Sequence, residues 1–150
     1  MERRSLMQDI RRFSNAPGDV QRLLLQAAML VLAARVTLST LPFRWVRLLA
    51  SGKPSISTRL AVVPTHQLSW AVRAAARHIP RATCLTQALA MQRLLAFAGR
   101  SADLQIGVAK DARSGFEAHA WVECEGDIVV GNNAKLRLYA PMLTIRTAEA

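Results

Sequence analysis

The sequence has few of the residues that build cofactor and metal sites. Two cysteines and three histidines are scattered over 150 residues, without the close spacing of zinc ligands. The seven glycines form no glycine-rich loop that could cradle a phosphate. We therefore expect no cofactor and no bound metal.

The scarcity of cysteine also indicates a compartment. Disulfide frameworks belong to oxidising environments, and two cysteines without a signal-peptide pattern do not suggest one. We expect the protein to lie in the cytoplasm with its thiols reduced.

Acidic residues are outnumbered two to one by basic ones, and the formal net charge is +10. Residues 1–60 carry ten Lys or Arg against three acids, whereas residues 61–150 carry ten against seven. An N-terminal excess of this kind suits an acidic protein or a polyanion, although Arg-rich helix faces are often merely solvated. A basic binding module for nucleic acid or an acidic membrane surface is therefore one alternative.

Long hydrophobic runs are absent. The longest, residues 23–34, covers twelve positions, contains Gln26 and is bracketed by Arg22 and Arg35. Since a membrane span needs about 20 apolar residues, we expect a buried helix and no membrane span. A weakly polar stripe runs along one side of the predicted helix and leaves a wide apolar face to bury. The stripe consists of Arg22, Gln26, Ala33, Thr37 and Thr40.

The length and the 51% hydrophobic content predict one globular domain over residues 1–150. The segment Ser51 to Ser55 is typical of a linker, and it divides an N-terminal helical subregion, 1–55, from a core, 56–150. A further helix is predicted from Thr65 to Arg77.

One cysteine stands at a predicted helix start. Pro80 and the possible N-cap Thr83 precede Cys84, so that the thiol would lie in the first turn. There the helix dipole and the unpaired N–H groups favour a thiolate. The helical period puts Cys84 on an apolar stripe with three further residues: Ala88, Met91 and Leu95.

One histidine lies within a predicted strand. Apolar alternation indicates strands over 104–108 and 116–124, joined by a turn at 111–115, and a third strand over 128–130. In the second strand alternate residues form one face, comprising Phe116, Ala118, Ala120, Val122 and Cys124. The other face comprises Glu117, His119, Trp121 and Glu123.

Cys84 and His119 together suggest a nucleophile and its base. A lone helical cysteine is usually a small buried hydrophobe, and a lone strand histidine is usually structural. The joint order is rarer, because a thiol needs a neighbouring imidazole to become a thiolate and to protonate the leaving amine. The Cys84 N–H is the first candidate oxyanion donor, whereas neither Gln87 nor Gln105 can be assigned that role.

The remaining candidates favour structural readings. Cys124 lies on the opposite strand face from His119, and we expect it in the core. His66 and His78 belong to no catalytic or metal-binding motif, and we take them as ordinary helix-flanking residues. Trp121 could shield the site or fill the core.

These motifs resemble the stand-alone, transglutaminase-like leader peptidases of lasso-peptide biosynthesis. The resemblance rests on Pro-x-x-x-Cys-Leu-x-Gln-Ala-Leu, Gly99, the strand 104–108 and Ala-His-Ala-Trp-Val-Glu at 118–123, and it covers most of the chain. It implies an α+β papain-like (transglutaminase-like) fold, in which a helix bears Cys84 and a small antiparallel sheet bears His119. It also implies a Cys-His protease that removes the leader from a ribosomally made precursor.

The third catalytic residue departs from the family pattern. The family commonly has an Asp shortly after the strand that follows the histidine, where this chain has Asn132. An Asn side-chain oxygen can also orient an imidazole, as in Cys-His-Asn proteases. Asp127 is the rival, although its hairpin position is typical of a solvated turn residue. We predict Asn132 over Asp127.

The resemblance also implies partners. These are the precursor peptide with its leader, a separate leader-recognition protein and a lasso cyclase of the asparagine-synthetase type; no nucleic acid is expected. A winged-helix-like recognition module does not fit beside the catalytic segment in this chain, so we expect dependence on the partner. The enzymatic alternative is acyl transfer to an amine through the same thioester, as in transglutaminases.

Overall fold

The computed structural model describes residues 11–12, 14–53, 55–113 and 115–147. The parts of the sequence-based predictions that lie outside the described residues are positions 1–10 and 13 of the N-terminal subregion, Pro54 of the linker, Ser114 of the turn and positions 148–150 of the core.

Helices make up the first part of the described chain, up to Phe97. They are α1 (Gly18–Thr40), α2 (Phe43–Ser51), α3 (Thr58–Ala61), α4 (Thr65–His78) and α5 (Cys84–Phe97). Extended prolines at positions 17, 42 and 64 stand directly before α1, α2 and α4 and mark where each helix begins. The predicted helix at 65–77 and the helix start at Cys84 are confirmed.

Helix α1 differs from the expectation. It has 23 residues, rather than a core run of twelve, because the helix continues through the flanking arginines. By length and composition it is long and apolar enough to cross a membrane, a criterion that core helices and signal sequences also meet. It packs against α4 and α5 through Leu23, Ala27 and Val31, but much of its other apolar surface stays exposed.

The C-terminal half forms an antiparallel sheet in the order β3-β2-β1-β4. Its strands are β1 (Asp103–Asp111), β2 (Gly115–Cys124), β3 (Asp127–Val130) and β4 (Ala140–Arg146). The first three confirm the predicted strands, whereas β4 was not predicted. Its pairing with β1 contains an irregularity at Ile106/Gly107, and Pro141 interrupts the apolar pattern.

The core lies between one face of the sheet and helices α4 and α5. Ala120, Val122 and Cys124 of β2 belong to the buried core cluster, as do Ala88 and Leu95 of α5. Buried Gln92 of α5 donates from Nε2 to the backbone oxygen atoms of Ala102 (3.2 Å) and Ile145 (2.6 Å). The architecture is α+β, as predicted, and side chains alternate along β2 as the sequence indicates.

Candidate active site

Cys84 is the first residue of α5 and is half-buried against the core. The helix begins with a capping box, since Thr83 Oγ1 accepts from the Thr86 N–H (3.3 Å) and Thr86 Oγ1 accepts from the Thr83 N–H (3.3 Å). The Cys84 N–H has no acceptor within its own helix, because first-turn donors never do. The thiol and the backbone N–H of Cys84 therefore both lie at the positive end of the α5 dipole.

A tight turn delivers the chain to this helix start. The Ala82 N–H donates to Ile79 O (3.3 Å), with Pro80 and Arg81 at the two central positions. Arg81 has a φ of 60°, as in a type II turn, where glycine is usual at this position. An L-residue held in this conformation costs about 1–2 kcal/mol.

His119 lies on β2, opposite Gly107 of β1. Its Nε2 lies 2.6 Å from the backbone oxygen atom of Gly131. A carbonyl oxygen can only accept a hydrogen bond. Nε2 therefore carries the N–H of the neutral ring and donates a hydrogen bond to Gly131 O. The other ring nitrogen, Nδ1, is then the basic one and is available to take a proton from a thiol.

Gly131 is required where it stands. Its φ is +86°, and a Cβ added there would lie 2.5 Å from Ala120 O and 2.7 Å from Trp121 Cα. The chain therefore passes so close to β2 that only glycine fits. This close approach brings the Gly131 carbonyl to the His119 ring.

The amide beside His119 belongs to Asn133. Its Nδ2 lies 3.3 Å from His119 Nε2, while its Oδ1 accepts from the Lys135 N–H (2.9 Å). Gly131 O is nearer, and it accepts the hydrogen bond from the single N–H at Nε2. Asn133 Nδ2 could donate to the ring only if Nε2 were unprotonated.

The two predicted orienters lie elsewhere. Asn132 is exposed, and no hydrogen bond between it and His119 occurs in the described part of the chain. Asp127 pairs with Cys124 at the far end of the β2–β3 hairpin. Cys124 lies five positions along the strand from His119, a distance of about 17 Å. The catalytic role of either residue stays a prediction.

Trp121 shields one side of the imidazole. Its ring stacks on that of His119 with centroids 6.3 Å apart, and Nε1 donates to Glu123 (2.8 Å). The ring lies over Gly107, where an added Cβ would come within 2.9 Å of it. Trp121 is buried but does not belong to the core cluster, which favours the shielding interpretation.

Tyr139 lies beside His119. Its ring centroid lies 5.1 Å from that of His119. Burial raises the pKa of Tyr139, and a hydrogen bond to Glu117 and the negative charges of Glu117, Cys84 and Asp111 raise it further. The ring contact of Tyr139 is with His119, and Cys84 is one of the charged groups that act on its hydroxyl.

Cys84 and His119 are not directly hydrogen-bonded; across the described residues, no such bond joins Sγ to the imidazole. Catalytic hydrogen bonds are often long in a substrate-free enzyme and tighten when substrate binds. The sequence did not indicate Gly131, Asn133 or Tyr139. The one local signal in this segment was the Gly131-Asn132 pair, because glycine and asparagine often adopt a left-handed backbone in turns.

The other cysteine is not part of this site. Both thiols are free, but Cys124 is buried in the core. Burial raises the pKa of Cys124, as do Glu125 and Asp127, against a lowering by Arg100. Within the described residues no cluster of three or more His, Cys, Asp or Glu side chains could hold a metal ion.

Comparison with known proteins identifies the family. A family model described as the transglutaminase-like superfamily matches residues 28–144. No significant match was found among curated proteins or among solved structures. The chain belongs to the transglutaminase-like superfamily, and its helices and four-stranded sheet are consistent with an α+β papain-like core.

Proposed function

We propose that this member of the transglutaminase-like superfamily is a cysteine peptidase in which Cys84 is the nucleophile and His119 is the base and acid. The observation that carries the proposal is the hydrogen bond from His119 Nε2 to Gly131 O, since it leaves Nδ1 as the basic nitrogen. The position of Cys84 at the helix start supports it, because the helix dipole stabilises a thiolate there.

The reaction proceeds through a thioester. His119 Nδ1 takes the Cys84 proton, and the thiolate attacks the scissile carbonyl carbon to form a tetrahedral oxyanion. The free N–H of Cys84 donates to that oxyanion. As the C–N bond breaks, the imidazolium protonates the leaving amine. Water then attacks the thioester, gives a proton to His119 and releases the acid and the thiol.

Gly131 O orients the imidazole in this mechanism, with Asn133 beside it. When both ring nitrogens carry protons, Nε2 still donates to the carbonyl and Nδ1 faces the thiolate. A neutral carbonyl stabilises the imidazolium less than a carboxylate does, because it adds no full negative charge. In our proposal the Gly131 carbonyl therefore takes the orienting role first predicted for Asn132.

The proposed substrate is the leader-bearing precursor of a lasso peptide, cut in the cytoplasm before an asparagine-synthetase-type cyclase closes the ring. The support is the sequence resemblance around Cys84 and His119. A separate leader-binding protein would hold the scissile bond near Cys84 and make the attack effectively intramolecular. The gain should therefore appear mainly at low substrate concentration.

Cleavage of the precursor, followed by mass spectrometry at micromolar substrate with and without the leader-binding protein, tests the proposal. We expect the partner to accelerate cleavage, Cys84→Ala to abolish it and Cys124→Ala, the matched control, to retain it. Equal rates with and without partner would contradict partner dependence. Transfer of the acyl group to an added primary amine in preference to water would instead favour the acyltransferase activity that this superfamily also contains.

A further inference from the structure

The exposed side of α1 carries an apolar stripe that nothing in the described chain covers. Its four residues are largely exposed: Leu25 (55%), Met29 (71%), Leu32 (53%) and Val36 (52%). The opposite side of the same helix is already in the core through Leu23, Ala27 and Val31. Large exposed apolar patches on soluble proteins usually mark interaction sites.

The spacing of the stripe suits another helix. Its residues follow one another at intervals of four, three and four, the spacing of the a and d positions in a coiled-coil seam. At 100° per residue they fall within about 60° of arc and extend over about 16 Å, roughly three turns. A seam this narrow matches the contact face of one helix, whereas helices that lie in a membrane surface bury a broader apolar face.

The borders of the stripe define the chemistry of the occupant. Arg22 precedes the stripe by one turn and is exposed. On the other border Arg35 donates a hydrogen bond to Ser39. Over residues 14–60 the chain carries six basic residues and one acid, Asp19. Acidic side chains beside the partner's apolar stripe would complement these arginines, and a second copy of this basic chain would be repelled.

We infer that the stripe Leu25, Met29, Leu32 and Val36 is a docking seam for an amphipathic helix of a partner protein, with acidic residues flanking that helix's own apolar stripe. This inference is independent of the proposed chemistry, because no residue of the seam belongs to the site around Cys84. The arginines would set the direction and the specificity of docking, while the apolar contact would supply most of the affinity.

Two fluorescent synthetic helices test the seam in an anisotropy titration against the full chain. Both carry leucine at a and d, and they differ only in having Glu or Lys at e and g. We expect the Glu peptide to bind at least about tenfold more tightly than the Lys peptide, and to weaken as salt rises.

The matched variants are Met29→Glu in the seam and Met142→Glu on β4, since both methionines are 71% exposed. Met29→Glu should weaken binding of the Glu peptide at least about tenfold, because a carboxylate would enter an apolar contact. Met142→Glu should bind like the wild type, and circular dichroism should match for all three proteins. Leu32→Glu repeats the test at a second position.

Three outcomes would overturn the inference. Equal binding of both peptides, unaffected by Met29→Glu, would exclude a seam of this chemistry. A dimer in analytical ultracentrifugation that Met29→Glu dissociates would make a second copy the occupant. Flotation with vesicles of phosphatidylglycerol and phosphatidylcholine, lost in Met29→Glu and not inhibited by the Glu peptide, would make it an anionic membrane.

Discussion

Replacing Gly131 by alanine should damage the site more than the fold. An L-residue at a φ of +86° costs about 1–2 kcal/mol of unfolding free energy. The new Cβ would also lie 2.5 Å from Ala120 O, so that the backbone must move away from β2. That movement carries the Gly131 carbonyl away from His119. A hydrogen bond to a charged group contributes about 1.5–3 kcal/mol, which corresponds to a loss in turnover of roughly 10- to 150-fold.

Gly126→Ala is the matched control. Gly126 has a φ of +88°, but an added Cβ would meet no atom within 4 Å. This variant should lose the conformational 1–2 kcal/mol and keep its activity. Urea unfolding gives the stability of both variants, and precursor cleavage at a temperature where both are folded gives turnover. If Gly131→Ala cleaves like Gly126→Ala, the carbonyl does not orient His119 and our tautomer argument is wrong.

Three further predictions concern single groups. Asn133→Ala should lower precursor turnover, because it removes the Oδ1 that accepts from the Lys135 N–H and holds the turn after Gly131, whereas Asn132→Ala, at its exposed neighbour, should not; equal effects would contradict this role of Asn133. Tyr139 is the single tyrosine, so ultraviolet absorbance titration should show its pKa above the ordinary value of tyrosine. Glu117→Gln should lower that pKa, and an unchanged titration would show that Glu117 does not act on Tyr139. Because burial raises the pKa of Cys124, the stability that this thiol contributes is complete below its unfolded value and is lost as pH rises through the folded value. Above about pH 8.5 the free energy of unfolding, measured by urea denaturation, should therefore fall more steeply for the wild type than for Cys124→Ala, and parallel curves would argue against that shift.

Local patterns were sufficient to predict the elements that carry the two main residues. A threonine cap before Cys84 and strict alternation around His119 are short-range signals, and both elements occur as predicted. Strand β4 was not predicted because its partner β1 lies some thirty residues earlier and Pro141 hides its pattern.

The surroundings of His119 could not be predicted from periodicity. Strand alternation ends at Gly131, whose left-handed backbone redirects the chain. Whether Asn132 or Asn133 then meets the imidazole depends on that turn and on the approach to β2. The exposed stripe of α1 was missed for a related reason. An apolar pattern predicts that a face can be buried, but the fold decides which face is covered.

The catalytic pairing of Cys84 with His119 can be tested without any substrate. In a Cys124→Ala background Cys84 is the single cysteine, and its alkylation by iodoacetamide can be followed from about pH 4 to pH 10 by mass spectrometry. We predict rapid alkylation below neutral pH, and a shift of half-maximal rate to higher pH when His119→Ala removes the imidazolium partner. Identical pH profiles with and without His119 would contradict the pairing and, with it, the proposed peptidase mechanism.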